Sequence, residues 1–180
     1  MLNLPVRRTP PSVSGTVSLG QFSQPIQKKA LSSFRSAQKL FDGGDCEGGV
    51  RELERTITAS PGYADAYSSL AAVHIKLVFC EQALNEIAQA MNIAGPSARD
   101  LSNMALADYN LGRYADSAEA ARSALRLDPN YDPAHFVLAV TLAIDKRTMA
   151  ESVPHLERAA RTIMSAKAIL VIVVKVLSHD

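Results

Sequence analysis

The feature that most constrains the fold of this chain is an internal repeat with a step of 34 residues. Large apolar residues recur at that step at Leu70, Met104 and Leu138, and an alanine follows each of them directly. A fixed period of this length is typical of repeat proteins, in which each unit is one supersecondary element that stacks on its neighbours. We therefore expect an elongated array of similar units.

The segments between the repeat breaks are helical in pattern. From about Gln27 onward, stretches of 12–15 helix-forming residues alternate with short breaks rich in glycine, proline, asparagine and aspartate. Only Ile169–Val174 suggests strand alternation. The sequence predicts an all-α chain with two helices per unit, in four units at about 30–63, 64–97, 98–131 and 132–165. Residues 166–180 are predicted to form an apolar C-terminal helix.

The first 26 residues differ from the rest. They hold four prolines and no periodicity, so we expect a disordered tail, which is also basic. Residues 1–41 contain six basic side chains and no acid, a composition that an organelle transit peptide would also have. No apolar run has the length of a membrane span, and we expect a cytoplasmic protein. The formal net charge of +1 argues against a nucleic-acid partner.

The repeat resembles the tetratricopeptide repeat (TPR) family. The third unit carries the resemblance best, with Leu101, Met104 and Ala105 in its first half and the stretch Leu125-Arg126-Leu127-Asp128-Pro129-Asn130 at its end. This resemblance, together with the need of each helical pair to bury two faces, predicts a right-handed α-solenoid of stacked helix-turn-helix units with a concave groove.

No residue pattern in the chain indicates catalysis, a cofactor or a metal. The histidines are not paired at helical spacing, and His74 and His135 are interpreted as half-buried packing residues. Cys46 and Cys80 occupy equivalent places in neighbouring units, too far apart for a disulfide, and both are expected to be buried thiols. The glycine-rich stretch 43–49 lacks the lysine of a phosphate-binding loop, so Gly44 is interpreted as a turn residue and Gly49 as a small packing residue. We expect a non-enzyme without cofactors.

The resemblance implies that the groove is formed by exposed positions of the first helix of each unit. Carried over residue by residue, the candidate binding residues are Phe34, Arg35, Gln38, Ser69, Arg99, Asn103, Leu106, Tyr109, Phe136 and Val140. The groove is predicted to run from mildly basic to apolar, which suits an amphipathic helix or an extended peptide. In one alternative, the C-terminal helix of the same chain covers Phe136, Val140 and Ile144.

TPR domains that clamp the acidic tails of heat-shock chaperones resemble one another in a set of lysine, asparagine and arginine side chains. The corresponding places here are Phe34, Gln38, Ser69, Arg99 and Asn103, or, one unit further along, Ser68, Ala72, Asn103, Pro133 and Val137. Neither set holds the cations that two carboxylates require. We therefore expect that the groove is not a clamp of this kind.

The resemblance implies a non-catalytic protein-protein interaction scaffold whose partner is a protein or peptide. The alternative is a structural protein that self-associates into a homo-oligomer through residues 165–177, where nearly every side chain is apolar. A regulatory subunit of an enzyme is also compatible with the pattern.

Overall fold

The computed structural model describes residues 26–178. The expected disordered tail at 1–26 lies almost wholly outside this range. The described residues form helices and no strands, as the sequence predicts; the helices are α1 (Lys28–Asp42), α2 (Cys46–Ala59), α3 (Ala64–Lys76), α4 (Cys80–Ala94), α5 (Ala98–Asn110), α6 (Tyr114–Leu127), α7 (Asp132–Leu142), α8 (Met149–Ala159) and α9 (Met164–Leu177).

The helices pack as consecutive antiparallel pairs that stack into an α-solenoid. Within each pair an alanine of the first helix is fully buried, at Ala71, Ala105 and Ala139, and lets the second helix approach closely. Larger side chains such as Ile87 and Leu156 fill the space beside them. Successive first helices also touch, α3 with α5 and α5 with α7, so the first helices line the tighter, concave side.

The turns inside the first three units share one backbone geometry. The N–H groups of Asp45, Phe79 and Arg113 each donate to a carbonyl five residues earlier, at 2.8 Å. The residue before each donor has a positive φ: 84° at Gly44, 65° at Val78 and 75° at Gly112. This left-handed conformation ends a helix at low cost for glycine but not for valine. The prediction of a turn role for Gly44 is therefore confirmed, while Val78 departs from the pattern.

Helix α9 stands where the first helix of a fifth unit would be. It begins like α3 and α7, because the N–H of Ala166 donates to the carbonyl of the residue three earlier, as Ala66 and Ala134 do. Ala166 and Val173 of α9 are buried against α7 and α8. No second helix follows within the described residues, so the face that α3, α5 and α7 turn toward their own partner helix is uncovered in α9.

Candidate functional site

The ten residues predicted from the resemblance lie on the first helices α1, α3, α5 and α7, and none of them is buried. Arg35, Gln38 and Arg99 are exposed, and the other seven are half-buried. The neighbouring first helices bring these residues to one side of the solenoid. The surface they form is called the groove below.

The basic and acidic side chains of the groove neutralise each other in its middle. Nη2 of Arg99 donates to Oδ1 of Asp65 at 2.8 Å, across the boundary between the second and third units. This hydrogen bond, together with Asp100 beside it, raises the pKa of Arg99 although partial burial opposes the shift. The guanidinium at this place is therefore already occupied.

Aromatic and apolar side chains of the groove also contribute to the core. The Phe34 ring lies 5.0 Å from that of Tyr63, and Tyr109 packs edge-on against Tyr114 with 5.7 Å between centroids. Leu106 packs against two of the core clusters. Each of these residues presents only part of its surface to a ligand, so the groove is an apolar surface held rigidly by the core.

The C-terminal helix covers part of the apolar end of the groove. Phe136 packs against the cluster that contains Ala166 and Val173 of α9. Val140 remains half-buried, and Ile144 is half exposed. The predicted covering by the chain's own C-terminal helix is thus observed at Phe136.

Two histidines that are far apart in sequence meet in the fourth unit. Nδ1 of His135 on α7 lies 2.8 Å from Nδ1 of His155 on α8, and Nε2 of His135 donates to the carbonyl of Pro129 at 3.0 Å. Burial, and then the charges of His135 and Arg122, lower the pKa of His155. The interpretation of His135 as only a packing residue is incomplete, because its polar atoms join two helices.

His74 is buried and also has a polar partner. Its Nδ1 lies 2.8 Å from a carboxylate oxygen of Glu86 on α4, which connects the two helices of the second unit. Burial raises the pKa of Glu86, and the hydrogen bond to His74 opposes this shift. Within residues 26–178 no group of three or more histidine, cysteine or acidic side chains could hold a metal ion.

The expectation that both cysteines are buried is wrong for Cys46. Cys80 is buried as predicted, whereas Cys46 is exposed, and both thiols are free. The difference follows from the residue that packs nearby. Leu106 packs in the cluster that buries Cys80, but the repeat places Ala72 at the corresponding position beside Cys46. The smaller side chain leaves a cavity of about 290 Å³, which Cys46 and Ala72 line.

One surface was not anticipated from the sequence. Leu77, Val78 and Phe79, called the apolar turn below, are three consecutive exposed apolar residues between α3 and α4. The signal that could have found it is the repeat itself, because the matching turns read Gly43-Gly44-Asp45 and Leu111-Gly112-Arg113.

Taken together, the described residues define a helix-pair solenoid with an accessible groove. No protein-family model matches the sequence, and no curated protein matches it. Solved structures do match. A thermophilic TPR protein of Thermus thermophilus aligns with a TM-score of 0.70 and 16% identity over 82% of each chain.

Two further structures are similar. MamA from Desulfovibrio magneticus aligns with a TM-score of 0.64 and 20% identity over 73% of this chain and 74% of that one. The TPR domain of Arabidopsis OM64 aligns with a TM-score of 0.62 and 20% identity over 65% of this chain and 97% of that one. The chain has the tetratricopeptide-repeat fold. Among residues 26–178, no helix has the length and apolar character needed to cross a membrane.

Proposed function

We propose that this protein is a non-catalytic interaction module whose groove binds a peptide or a partner protein. The observation that carries the proposal is the placement of ten groove residues on four adjoining helices, all at least partly accessible to solvent. The rigid apolar part around Leu106 and Tyr109 supplies area for burial, and polar side chains such as Asn103 supply hydrogen bonds that orient a ligand.

Similar structures support the proposal. The first TPR domain of Spaghetti (RPAP3), with a TM-score of 0.60 and 18% identity over 63% of this chain and 90% of that one, is bound to the HSP90 peptide SRMEEVD. A groove of the same architecture therefore accepts a short peptide in that protein. The ligand of the present groove has to differ, because the ion pair of Arg99 with Asp65 already occupies its central cation.

Site-specific photo-cross-linking tests the groove. A photoreactive amino acid at Asn103 is expected to capture one partner from the source cell, whereas the same group at Gln89, an exposed position on α4, should not. The substitution Tyr109→Ala should reduce capture at Asn103. Equal capture at both positions, or no dependence on Tyr109, would contradict the assignment.

A specific observation also favours a second candidate function, self-association through α9. Val171 and Val174 are 54% and 48% exposed, although the matching residues Ala139 and Leu142 on α7 are buried. Such a surface is stable in water only at a cost that a second molecule would remove. Light scattering on the intact chain over a range of concentrations tests this candidate. A molecular mass that stays at that of one chain would exclude it.

A further inference from the structure

We propose that α9 of one copy docks onto the apolar turn of a second copy, Leu77, Val78 and Phe79. This inference rests on the self-association proposed above and adds the surface that receives α9. It concerns residues of the second unit that lie in the turn between α3 and α4.

The apolar turn is not explained by the needs of the fold. The turns that match it in the first and third units use glycine at the left-handed position, so the geometry does not require a side chain there. Val78 holds the same conformation at φ 65° with 71% of its surface exposed. A β-branched residue in this conformation costs free energy and gains no burial in the monomer. An external contact would provide that burial.

Two cavities lie on either side of Leu77 and give the turn the shape of a docking site. The first, of about 290 Å³, has the apolar side chains of Phe41, Ala72 and Val73 in its wall. The second, of about 450 Å³, is lined in part by Val50 and Phe79. Leu77 and Cys46 line both cavities. Apolar side chains on a helix could enter the two cavities with the ridge of Leu77 between them.

The charges favour α9 as the occupant. Helix α9 contains Lys167 and Lys175 and no acidic residue. The second cavity has Glu47 and Glu54 in its wall against the single cation Arg51. An apolar helix with basic side chains therefore meets an apolar site with a net acidic rim.

The same charges disfavour the symmetric alternative. If two α9 helices packed on each other, the lysines of both would come together, and α9 supplies no carboxylate to neutralise them. A contact between α9 and the apolar turn joins two different surfaces, one in the second unit and one at the C-terminal end. Such a contact is heterologous and can continue from copy to copy, so we expect open chains whose length grows with concentration.

Disulfide trapping tests which surfaces meet. Cys46 is exposed beside Leu77, whereas Cys80 is buried, so the native chain already carries one reporter thiol. Under mild oxidation, Ile172→Cys on the exposed face of α9 is expected to form an intermolecular disulfide with Cys46. Adding Cys46→Ser should abolish the cross-linked species, and Gln89→Cys on the outer face of α4 should not form it. A cross-link that survives Cys46→Ser would show that α9 pairs with α9 and would overturn the proposal.

A complementation experiment gives an independent readout. Leu77→Lys with Val78→Lys damages the turn, and Val171→Glu with Val174→Glu damages α9. Each variant alone should associate at least about tenfold more weakly than the intact chain, because a charge is placed in an apolar contact. An equimolar mixture should form a dimer that does not grow, since one intact turn and one intact α9 remain. Helical circular dichroism and the melting temperature of each variant establish that it is folded.

The possible failures can be told apart. If the intact chain is monomeric at all concentrations, the self-association proposed above fails together with the docking site. If the intact chain associates and the turn variant associates equally well, only the docking site is wrong. Loss of association in both variants without a dimer in the mixture would also overturn it.

Discussion

His135 and His155 share a hydrogen bond between their Nδ1 atoms, 2.8 Å apart, that joins the two helices of the fourth unit. The two residues are 20 positions apart in the chain, so only the packing of α7 on α8 brings them together. Because the pKa of His155 is lowered in the folded state, the folded protein binds that proton less tightly than the unfolded chain does.

The first prediction concerns the pH dependence that follows. The stabilisation from a neutral His155 is fully present above the ordinary histidine pKa of 6.5 and is lost as the pH falls through the lowered pKa. The melting temperature of the intact chain should therefore fall on acidification more than that of His155→Gln, which has no titrating group there. Parallel profiles of the two proteins between about pH 7.5 and about pH 5 would contradict this.

Val78→Gly is expected to stabilise the monomer. The left-handed conformation costs a non-glycine residue roughly 1–2 kcal/mol, and the added freedom of glycine in the unfolded chain returns about 0.4–1 kcal/mol. The net gain is about 1 kcal/mol, because little apolar surface of Val78 is buried. Thermal or urea unfolding measures it. The reciprocal change Gly112→Val should destabilise, and a stabilising Gly112→Val would refute the strain argument.

Gly49→Ala is expected to destabilise the first unit. A Cβ atom at Gly49 would lie 2.3 Å from Cε1 of Phe41, so the ring would have to move out of a packed position. Overpacking of this kind costs typically about 1–3 kcal/mol. Gly62→Ala is the matched control, because nothing lies within 4 Å of a Cβ atom there. Equal unfolding free energies for the two variants would show that Phe41 adjusts freely.

Ala72→Leu is expected to fill the cavity beside Cys46. Burying the added carbons contributes about 0.8 kcal/mol for each, so a gain of about 1–2 kcal/mol is expected at this half-exposed site. The direct readout is the rate at which a thiol reagent modifies Cys46, which should fall. Ala88→Leu, on an exposed position of α4, should leave that rate unchanged. An unaltered rate in Ala72→Leu would mean that the cavity does not control access to Cys46.

The peptide SRMEEVD is expected not to bind in the micromolar range. Its acidic groups need several cations, and the groove positions that would supply them include Phe34, Gln38 and Ser69. The guanidinium of Arg99 is paired with Asp65. Isothermal titration with the peptide measures the affinity. Micromolar binding that is lost in Arg99→Ala would refute the expectation.

The unit organisation could be inferred because it depends on local signals. The step of 34 residues, the glycine and proline breaks and the alanines at Ala71 and Ala105 each act within one unit, so the same local argument applies in every unit. The candidate groove residues followed from the resemblance to the TPR family, since their position on a first helix decides which way they point.

The neighbours of each side chain could not be inferred in the same way. The sequence by itself determined the repeat, the all-helical class and the turn at Gly44, because these depend on periodicity and backbone preference over a few residues. Only the tertiary structure decided that His135 meets His155, that Cys46 is exposed while Cys80 is buried, and that Val78 is held in a left-handed turn. The physical reason is that these features depend on the volume and polarity of side chains on other helices, which the period of the repeat does not encode.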